Sequence, residues 1–224
     1  MTFKKSKDLQ TVVQLVVFDF DGTLCEDEMM VMLGERMGCK ELIEEITEKS
    51  MRGDVEYEES LRERAKLLTG LSKNDMDEVY SRVFLRQGAG EILKNLRKNG
   101  VKIAIITGGF LGGVECALKG YRTNVDWIIS NELVVENGHL TGEVKGEVIE
   151  ESKGRVLENI CEMSKISFED VVVVGDGSND IPMLEMAGLA IGFKAKEIVK
   201  LSCDYTVDTM AELGEKFREN RIII

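Results

Sequence analysis

Apolar and polar positions alternate in different ways along this chain, and each change marks a different kind of element. Residues 12–18, VVQLVVF, form a nearly unbroken apolar run that stops at Asp19 and Asp21 and gives way to Gly22, Thr23 and Leu24. A run of this kind predicts a strand buried on both faces, as in a parallel sheet covered by helices. From residue 25 the period lengthens: CEDEMMVMLGERMG, KELIEEITEKSMRG, EYEESLRERAKLL and SKNDMDEVYSRVFL carry apolar residues three and four apart. This predicts an all-helical insert. Within it Ser72 is the expected N-cap of a helix, and Gly34, Gly38, Gly53 and Gly70 are expected to punctuate or end helices. Six of the eleven methionines (Met29, Met30, Met32, Met37, Met51 and Met76) fall in this insert, where helical spacing reads as adaptable core filling.

From Gln87 the rhythm changes again. A helix, AGEILKNLRKNG, ends at Gly100, and the strand VKIAII runs into Thr107, Gly108 and Gly109 before another helix. This βαβ pattern implies parallel strands with right-handed crossovers. The strand WIIS comes next, and Asn137-Gly138 between alternating segments predicts a two-residue hairpin. A helix from Ser152 to Lys165 leads to the strand at 171–174 and then to GDGSND. A helix to Ala187, the strand LAIGF, a short helix, a strand near Tyr205 to Val207 and a last helix complete the pattern. There is no repeat, low-complexity tract or linker, and Pro182 is the only proline. The expected fold is α/β: a doubly wound parallel sheet built from residues 1–26 and 87–224, with a small all-helical cap domain, residues 27–86, inserted after the first strand.

Composition narrows the function. The 224 residues, 43% hydrophobic and 31% charged, describe a globular chain with a sizeable core. A formal charge of −12 argues against binding nucleic acid or an anionic membrane, both of which need a cationic footprint. An anionic substrate would then need local positive charge, from a metal or from a few placed Lys and Arg side chains. Cys25, Cys39, Cys116, Cys161 and Cys203 are odd in number and lack a C-x-x-C pair, so neither a disulfide framework nor a zinc site is indicated. With no membrane-length apolar segment and no apolar signal region, the expected location is the cytoplasm. His139, the only histidine, reads as a surface residue beside the hairpin turn, which removes Ser-His-Asp and Cys-His catalysis from consideration.

Four polar clusters fall at or near the carboxyl ends of the expected strands, where open α/β sheets bind ligands. They are Asp19 with Asp21, Thr107 with Gly108 and Gly109, Lys153 opening a helix, and Asp176 with Asn179 and Asp180. Singly, each has a plain alternative: a polar turn, a cap, a solvated first-turn lysine. Jointly, the carboxylates would repel one another unless a cation were bound, and hard oxygen ligands with water positions suit Mg²⁺ better than zinc. A calcium loop of the EF-hand type fails at Asp176, because the sharp-turn glycine would be Ile181 and the closing glutamate Ala187. There is no P-loop and no G-x-G-x-x-G. A carboxylate pair, Mg²⁺, a small hydroxyl with glycine amides, and a lysine together suit phosphoryl transfer, in which an ionised aspartate can attack phosphorus and a second can act as acid and base.

In this order the four motifs, DFDGTL, ITGG, Lys153 and GDGSND, resemble the haloacid dehalogenase superfamily of aspartate-nucleophile phosphatases, over nearly the whole chain. The resemblance implies a HAD-like Rossmannoid core with Asp19 as nucleophile and Asp21 as general acid and base. It further implies Mg²⁺ held by Asp19, the backbone carbonyl of Asp21 and Asp176, with Asp180 in support, and phosphate held by Thr107, Gly108, Lys153 and Asn179. Asp21 weighs against a true dehalogenase, which has no leaving group to protonate at that step.

The insert is similar to the helical cap of phosphoserine phosphatases, carried by EDE at residues 26–28 and MRGDVEYEESLRERAKLL. That similarity implies Glu28 for the amino group and Arg64 for the carboxylate of phosphoserine, with Met51 and Tyr57 lining an apolar wall. Tyr57 departs from a frequent Phe, and Thr107 from a frequent Ser. The expected substrate is a small phosphomonoester, O-phospho-L-serine first, in a monomer or homodimer. The alternatives are a phosphatase or phosphotransferase for another small phosphomonoester and, in a different class, a non-catalytic acidic metal-binding or regulatory protein.

Overall fold

The computed structural model describes residues 12–51 and 54–223, apart from the side chain of Met51. Strand β1 (Leu15–Phe18) leads into four helices, α1 (Met29–Met37), α2 (Lys40–Met51), α3 (Tyr57–Lys66) and α4 (Lys73–Tyr80). After α5 (Ala89–Lys98) come β2 (Lys102–Phe110), α6 (Leu111–Ala117), β3 (Trp127–Glu136), β4 (His139–Gly146), α7 (Glu147–Glu150) and α8 (Lys153–Ser164). The chain ends through β5 (Val171–Gly175), α9 (Ile181–Met186), β6 (Leu189–Phe193), α10 (Glu197–Lys200), β7 (Tyr205–Val207) and α11 (Met210–Glu219).

The seven strands form one sheet in the order β4-β3-β2-β1-β5-β6-β7. Six of them are parallel, and β4 pairs antiparallel with β3 to make an edge hairpin. Without that hairpin strand the order is that of a doubly wound dinucleotide-type sheet, whose winding reverses beside its first strand. Strand β1 therefore sits at the centre, with β2 and β5 on either side.

Alternate residues of β1 supply two separate apolar layers, the consequence of the two-residue period of a strand. Val16 and Phe18 join Ile103, Ile105, Val172 and Val174 under α5 and α11, where Phe217 meets Phe18 edge to face at 6.4 Å. Leu15 and Val17 join Ala104, Ile106, Val171 and Val173 under α8 and α9. The first layer continues without a break through Phe110, Val114 and Tyr80 into the apolar faces of α1 to α4.

Several local expectations change. Gly34 does not end a helix: it lies buried inside α1, and a Cβ there would meet Ile43 Cδ1 at 2.5 Å, so glycine lets α2 approach closely. Gly38 and Gly70 do adopt the left-handed conformation, at φ 75° and 89°, while Gly53 lies outside the described residues. Strand β2 does not stop before Thr107 but continues to Phe110, with its register against β3 shifting between Ile106 and Phe110. WIIS likewise is only the start of a ten-residue strand, β3.

The β3–β4 hairpin turns at Asn137 and Gly138, both at positive φ, as a two-residue hairpin loop requires. Its far end reaches the helical layer. The amide of Gly70 donates to the Leu140 carbonyl at 2.9 Å, that of Leu140 to Leu71 at 2.8 Å, and that of Lys73 to Gly138 at 2.8 Å. His139, exposed on this hairpin, faces Ser72 across an isolated antiparallel bridge. Ser72 caps α4 by accepting from the Asp75 amide. The five cysteines form no disulfide. Among the described residues no helix is long and apolar enough to cross a membrane.

Candidate active site

Because β1, β2 and β5 run side by side in the same direction, the carboxyl ends of β1 and β5 and the irregular stretch of β2 beside them bring Asp19, Asp176 and Thr107 to one edge of the sheet. Asp19 continues the β1 ladder, its amide donating to the Val174 carbonyl at 2.9 Å. The chain then turns sharply at Gly22, where φ is +80° and a Cβ would stand 2.8 Å from the Asp176 carboxylate. Only glycine meets both demands. The turn is tied down by the amides of Thr23 and Cys25, which both donate to the Phe20 carbonyl. It leaves Asp21 half-buried beside Gly109, with the Met29 amide 3.4 Å from its carboxylate.

Lys153, at the first position of α8, is the charge centre of the cluster. Its side chain is 1% exposed, and its ammonium donates to Asp19 at 2.5 Å and to Asp180 at 2.6 Å. The other oxygen of Asp180 accepts from the amides of Asp176 and Gly177, each at 2.9 Å. Asp180 is thus saturated by its own loop and by Lys153, whereas Asp19 and Asp176 line the cavity. Thr23 Oγ1 lies 3.4 Å from Asp176 Oδ1.

The Thr107–Gly109 bulge is held from behind by a residue the sequence reading passed over. Asn131, fully buried in β3, donates from Nδ2 to the Gly108 carbonyl at 3.1 Å and accepts from the Ile149 amide at 2.9 Å. The next amide, that of Gly109, donates to Thr107 Oγ1 at 2.9 Å. The Gly108–Gly109 peptide is therefore fixed at both ends. Because Thr107 Oγ1 already accepts a bond, its own proton is left to donate forward.

The helices complete the enclosure. One cavity is lined by Asp19, Asp21, Thr107 and Asp176 from the sheet and by Glu28, Tyr57 and Arg64 from the insert. Arg64 is buried at 6% exposure, its Nε donating to the Ser60 carbonyl and its Nη1 to Thr47 Oγ1, both at 3.2 Å. Arg62 points elsewhere, to an exposed pair with Glu58 at 2.9 Å. The Tyr57 hydroxyl stands over Gly108, where an added Cβ would fall 1.7 Å from it. Asn179 lines the same cavity. Met51 ends α2, and its side chain lies outside the described residues. Thr47, Ser50, Met30 and Leu61 also line the cavity and were not anticipated. Met30 differs in this from Met29, Met32, Met37 and Met76.

Electrostatics mark the place as unfinished without a cation. Burial pushes the Asp19 carboxyl up to about 7, with Lys153 pulling against it and Asp180 reinforcing it. Burial also raises Asp21, helped by Glu28 and Asp19, and raises Asp176, helped by Asp19 and Asp180. Burial works against the Lys153 ammonium, yet Asp180 and Asp19 hold its pKa well above the usual range. Tyr57 is raised to about 12, chiefly by burial, so its hydroxyl keeps its proton. Asp19, Asp176 and Asp180 bring carboxylate oxygens within 4.8 Å of one another, a set that could hold a metal ion. Their hard oxygens and shared repulsion fit a hard divalent cation.

The site can be compared with known proteins at this point. Residues 13–188 match the model of haloacid dehalogenase-like hydrolases. The chain is 43% identical to the phosphoserine phosphatase of Halobacterium salinarum over 208 residues, covering 93% of this chain and 99% of that one. Two solved structures are also similar at 36% identity, each covered to 99% while covering 92% of this chain. One is a phosphoserine phosphatase with bound substrate (TM-score 0.85), and the other a phosphoserine phosphatase in a phospho-aspartyl intermediate analogue (TM-score 0.84). A family match that spans most of the chain, with close relatives aligned almost end to end, agrees with the carboxylate cluster at the switch point of the sheet: the chain belongs to the haloacid dehalogenase-like hydrolase family.

Proposed function

We propose that this chain hydrolyses O-phospho-L-serine to L-serine and phosphate, the last step of serine biosynthesis, through a phosphoenzyme formed on Asp19. The observation that carries the substrate reading is the placement of Arg64 and Glu28 on one cavity with Asp19. An amino acid presents a carboxylate and an ammonium at fixed separation, and a buried Arg opposite a Glu offers the complementary pair. The relatives named above, phosphoserine phosphatases aligned over almost their whole length, support the same substrate.

In the first step an Asp19 carboxylate oxygen attacks phosphorus as the P–O bond to the serine side chain breaks. Asp21 passes its proton to the departing oxygen, so serine leaves as a neutral hydroxyl. In the second step Asp21, now a carboxylate, takes a proton from water, and that water's oxygen attacks phosphorus. The P–O bond to Asp19 breaks, and inorganic phosphate departs. Thr107 Oγ1 and the Gly108 amide face the phosphoryl oxygens, and Asn179 joins them. Lys153 offsets charge on Asp19 and on the phosphoryl group from behind. Asp19, Asp176 and the backbone carbonyl of Asp21 would hold Mg²⁺, supported by Asp180. When bound, that ion supplies the positive charge that lets these carboxylates ionise together and draws charge from the phosphoryl oxygens. Tyr57 belongs to the wall that Met51 was also expected to line.

The division of labour follows the chain: residues 1–26 and 87–224 form the chemical core and residues 27–86 the cap that reads the substrate. The test is a rate comparison in Mg²⁺ over L-phosphoserine, D-phosphoserine, phosphothreonine and sugar phosphates, with Asp19→Asn alongside. L-phosphoserine is expected to lead the panel, and Asp19→Asn to abolish turnover of every substrate. A sugar phosphate in the lead would refute the substrate reading, and an active Asp19→Asn the nucleophile.

A further inference from the structure

Two connections join the sheet to the helical insert: the outgoing segment after Asp19 and the returning one before α5. They meet at Arg86. Its backbone amide donates to the Leu24 carbonyl at 2.7 Å. Its side chain, 9% exposed, reaches back across the outgoing turn. Nε donates to the Thr23 carbonyl at 3.1 Å, and Nη2 to the carbonyls of Gly22 at 2.9 Å and Cys25 at 3.2 Å. Four successive carbonyls, from Gly22 to Cys25, therefore all accept from this one residue. Nη1 pairs with Glu26 at 2.6 Å, and the guanidinium lies over the Phe193 ring at 5.0 Å. A planar fork with five donors can serve several carbonyls at once, which an ammonium on a flexible stem cannot do with the same geometry.

The turn clamped in this way is the one that aims Asp21. Asp21 precedes the first of the four carbonyls and is bridged to Cys25, and Cys25 is bridged to Leu85, the residue before Arg86. Thr23 in the same turn touches Asp176. We infer that Arg86 is a positioning residue: it locks the acid/base turn to the returning connection of the insert, so that Asp21 stays aimed at the leaving oxygen. It touches no reacting atom and acts through the backbone of residues 22–25. This inference rests on the proposed reaction and adds a residue to it.

The leaving group separates positioning from general damage. Serine departs as a poor alkoxide and needs the Asp21 proton, whereas p-nitrophenolate leaves readily without one. The ratio kcat/KM reports events through the first irreversible step, so it isolates phosphorylation of Asp19 from later hydrolysis. Arg86→Met is expected to lower kcat/KM for phosphoserine about tenfold or more beyond its loss on p-nitrophenyl phosphate, a part of what a general acid contributes. Arg86→Lys keeps the charge and the stem and carries the test if the Met variant fails to fold; it is expected to shift the ratio in the same direction. In an Asp21→Asn background, Arg86→Met should lower kcat/KM on phosphoserine by less than about twofold, because a residue that acts by aiming the Asp21 carboxyl has no acid left to aim. Equal losses on the two substrates, or full additivity with Asp21→Asn, would overturn the inference. If the wild-type chain spares phosphoserine, the substrate reading falls instead, and the alkyl phosphate it does hydrolyse takes phosphoserine's place in the same comparison.

Discussion

A carboxylate held near neutrality by burial makes the stability of the metal-free protein depend on pH in an unusual direction. Asp19 is 5% exposed, and burial raises its carboxyl from 3.8 to about 7 in spite of Lys153. Between those values the folded chain keeps a proton that the unfolded chain has released. Stability contributed by this group is therefore fully present below 3.8 and is lost as pH rises toward 7. The slope is at most about 1.4 kcal/mol per pH unit for one proton. From pH 5 to pH 7, with ionisation half complete at the upper end, the loss is about 2 kcal/mol. Asp19→Asn cannot ionise and serves as the reference: groups distant from Asp19 cancel in the comparison, and Asp21 and Asp176, which Asp19 helps to raise, contribute in the same direction. Urea unfolding of both proteins in EDTA at the two pH values measures the difference. The wild type should lose about 2 kcal/mol relative to the variant on going to pH 7. Saturating Mg²⁺ should restore the wild type at pH 7, by about 2.7 kcal/mol at a hundredfold excess over Kd, and restore the variant less. Parallel pH slopes in EDTA, or a wild type that gains on the variant as pH rises, would refute the account of this carboxylate.

Asn131→Ala leaves the Gly108 carbonyl and the Ile149 amide without their side-chain partner, so it should cost about 2–4 kcal/mol in urea unfolding and lower kcat through the loosened phosphate loop. Arg64→Ala should raise KM for phosphoserine far more than for an aryl phosphate, while Arg62→Ala, which removes an exposed pair with Glu58, should leave both substrates within about twofold of wild type; equal effects of the two substitutions would contradict the orientation of α3. Hydrogen exchange should find the Gly70, Lys73 and Leu140 amides, which join the hairpin to the insert, less protected than the Asp19 amide in the central ladder, and the reverse order would show that the insert does not part from the hairpin first.

The sheet was legible because its strands are short apolar runs ending in acidic or glycine-rich clusters, and a strand alternating between two buried layers leaves no other reading for 15–18. The hairpin followed from Asn137-Gly138 for a similarly local reason. What escaped was set by tertiary contact. Thr107-Gly108-Gly109 reads as a loop, and only pairing with β3 shows a bulged strand. Gly34 reads as a helix breaker, and only the approach of Ile43 shows why a glycine is needed inside the helix. Thr47 and Ser50 look like any polar residues of a charged helix until α2 is turned toward Arg64. Asn131 did leave a signal, a lone amide between WIIS and ELVV, since a polar side chain in a buried strand must be hydrogen-bonded. Arg86 left none: one arginine between two helical stretches becomes distinctive only when four carbonyls turn toward it.

The local charge explains why an acidic protein can host an anionic substrate and why Asp21 suits its assigned work. Asp19, Asp21, Asp176, Asp180 and Glu28 surround the site, against Lys153 and Arg64. A phosphomonoester dianion entering this field meets a surplus of negative charge that two cations cannot offset. A divalent cation held by Asp19 and Asp176, as proposed, would remove part of that surplus. What remains falls on Asp21, raised by burial first and then by Glu28 and Asp19. Burial, reinforced by the repulsion that would keep substrate out, therefore favours a proton on Asp21, the proton that the departing alkoxide would need. In the proposed reaction, once the phosphoryl group is bonded to Asp19 and serine has left with that proton, Asp21 would be a carboxylate in a field that favours its reprotonation, which is the property required to take a proton from water. The proposed nucleophile, cation site and acid that becomes a base are thus drawn from one group of carboxylates gathered around Lys153.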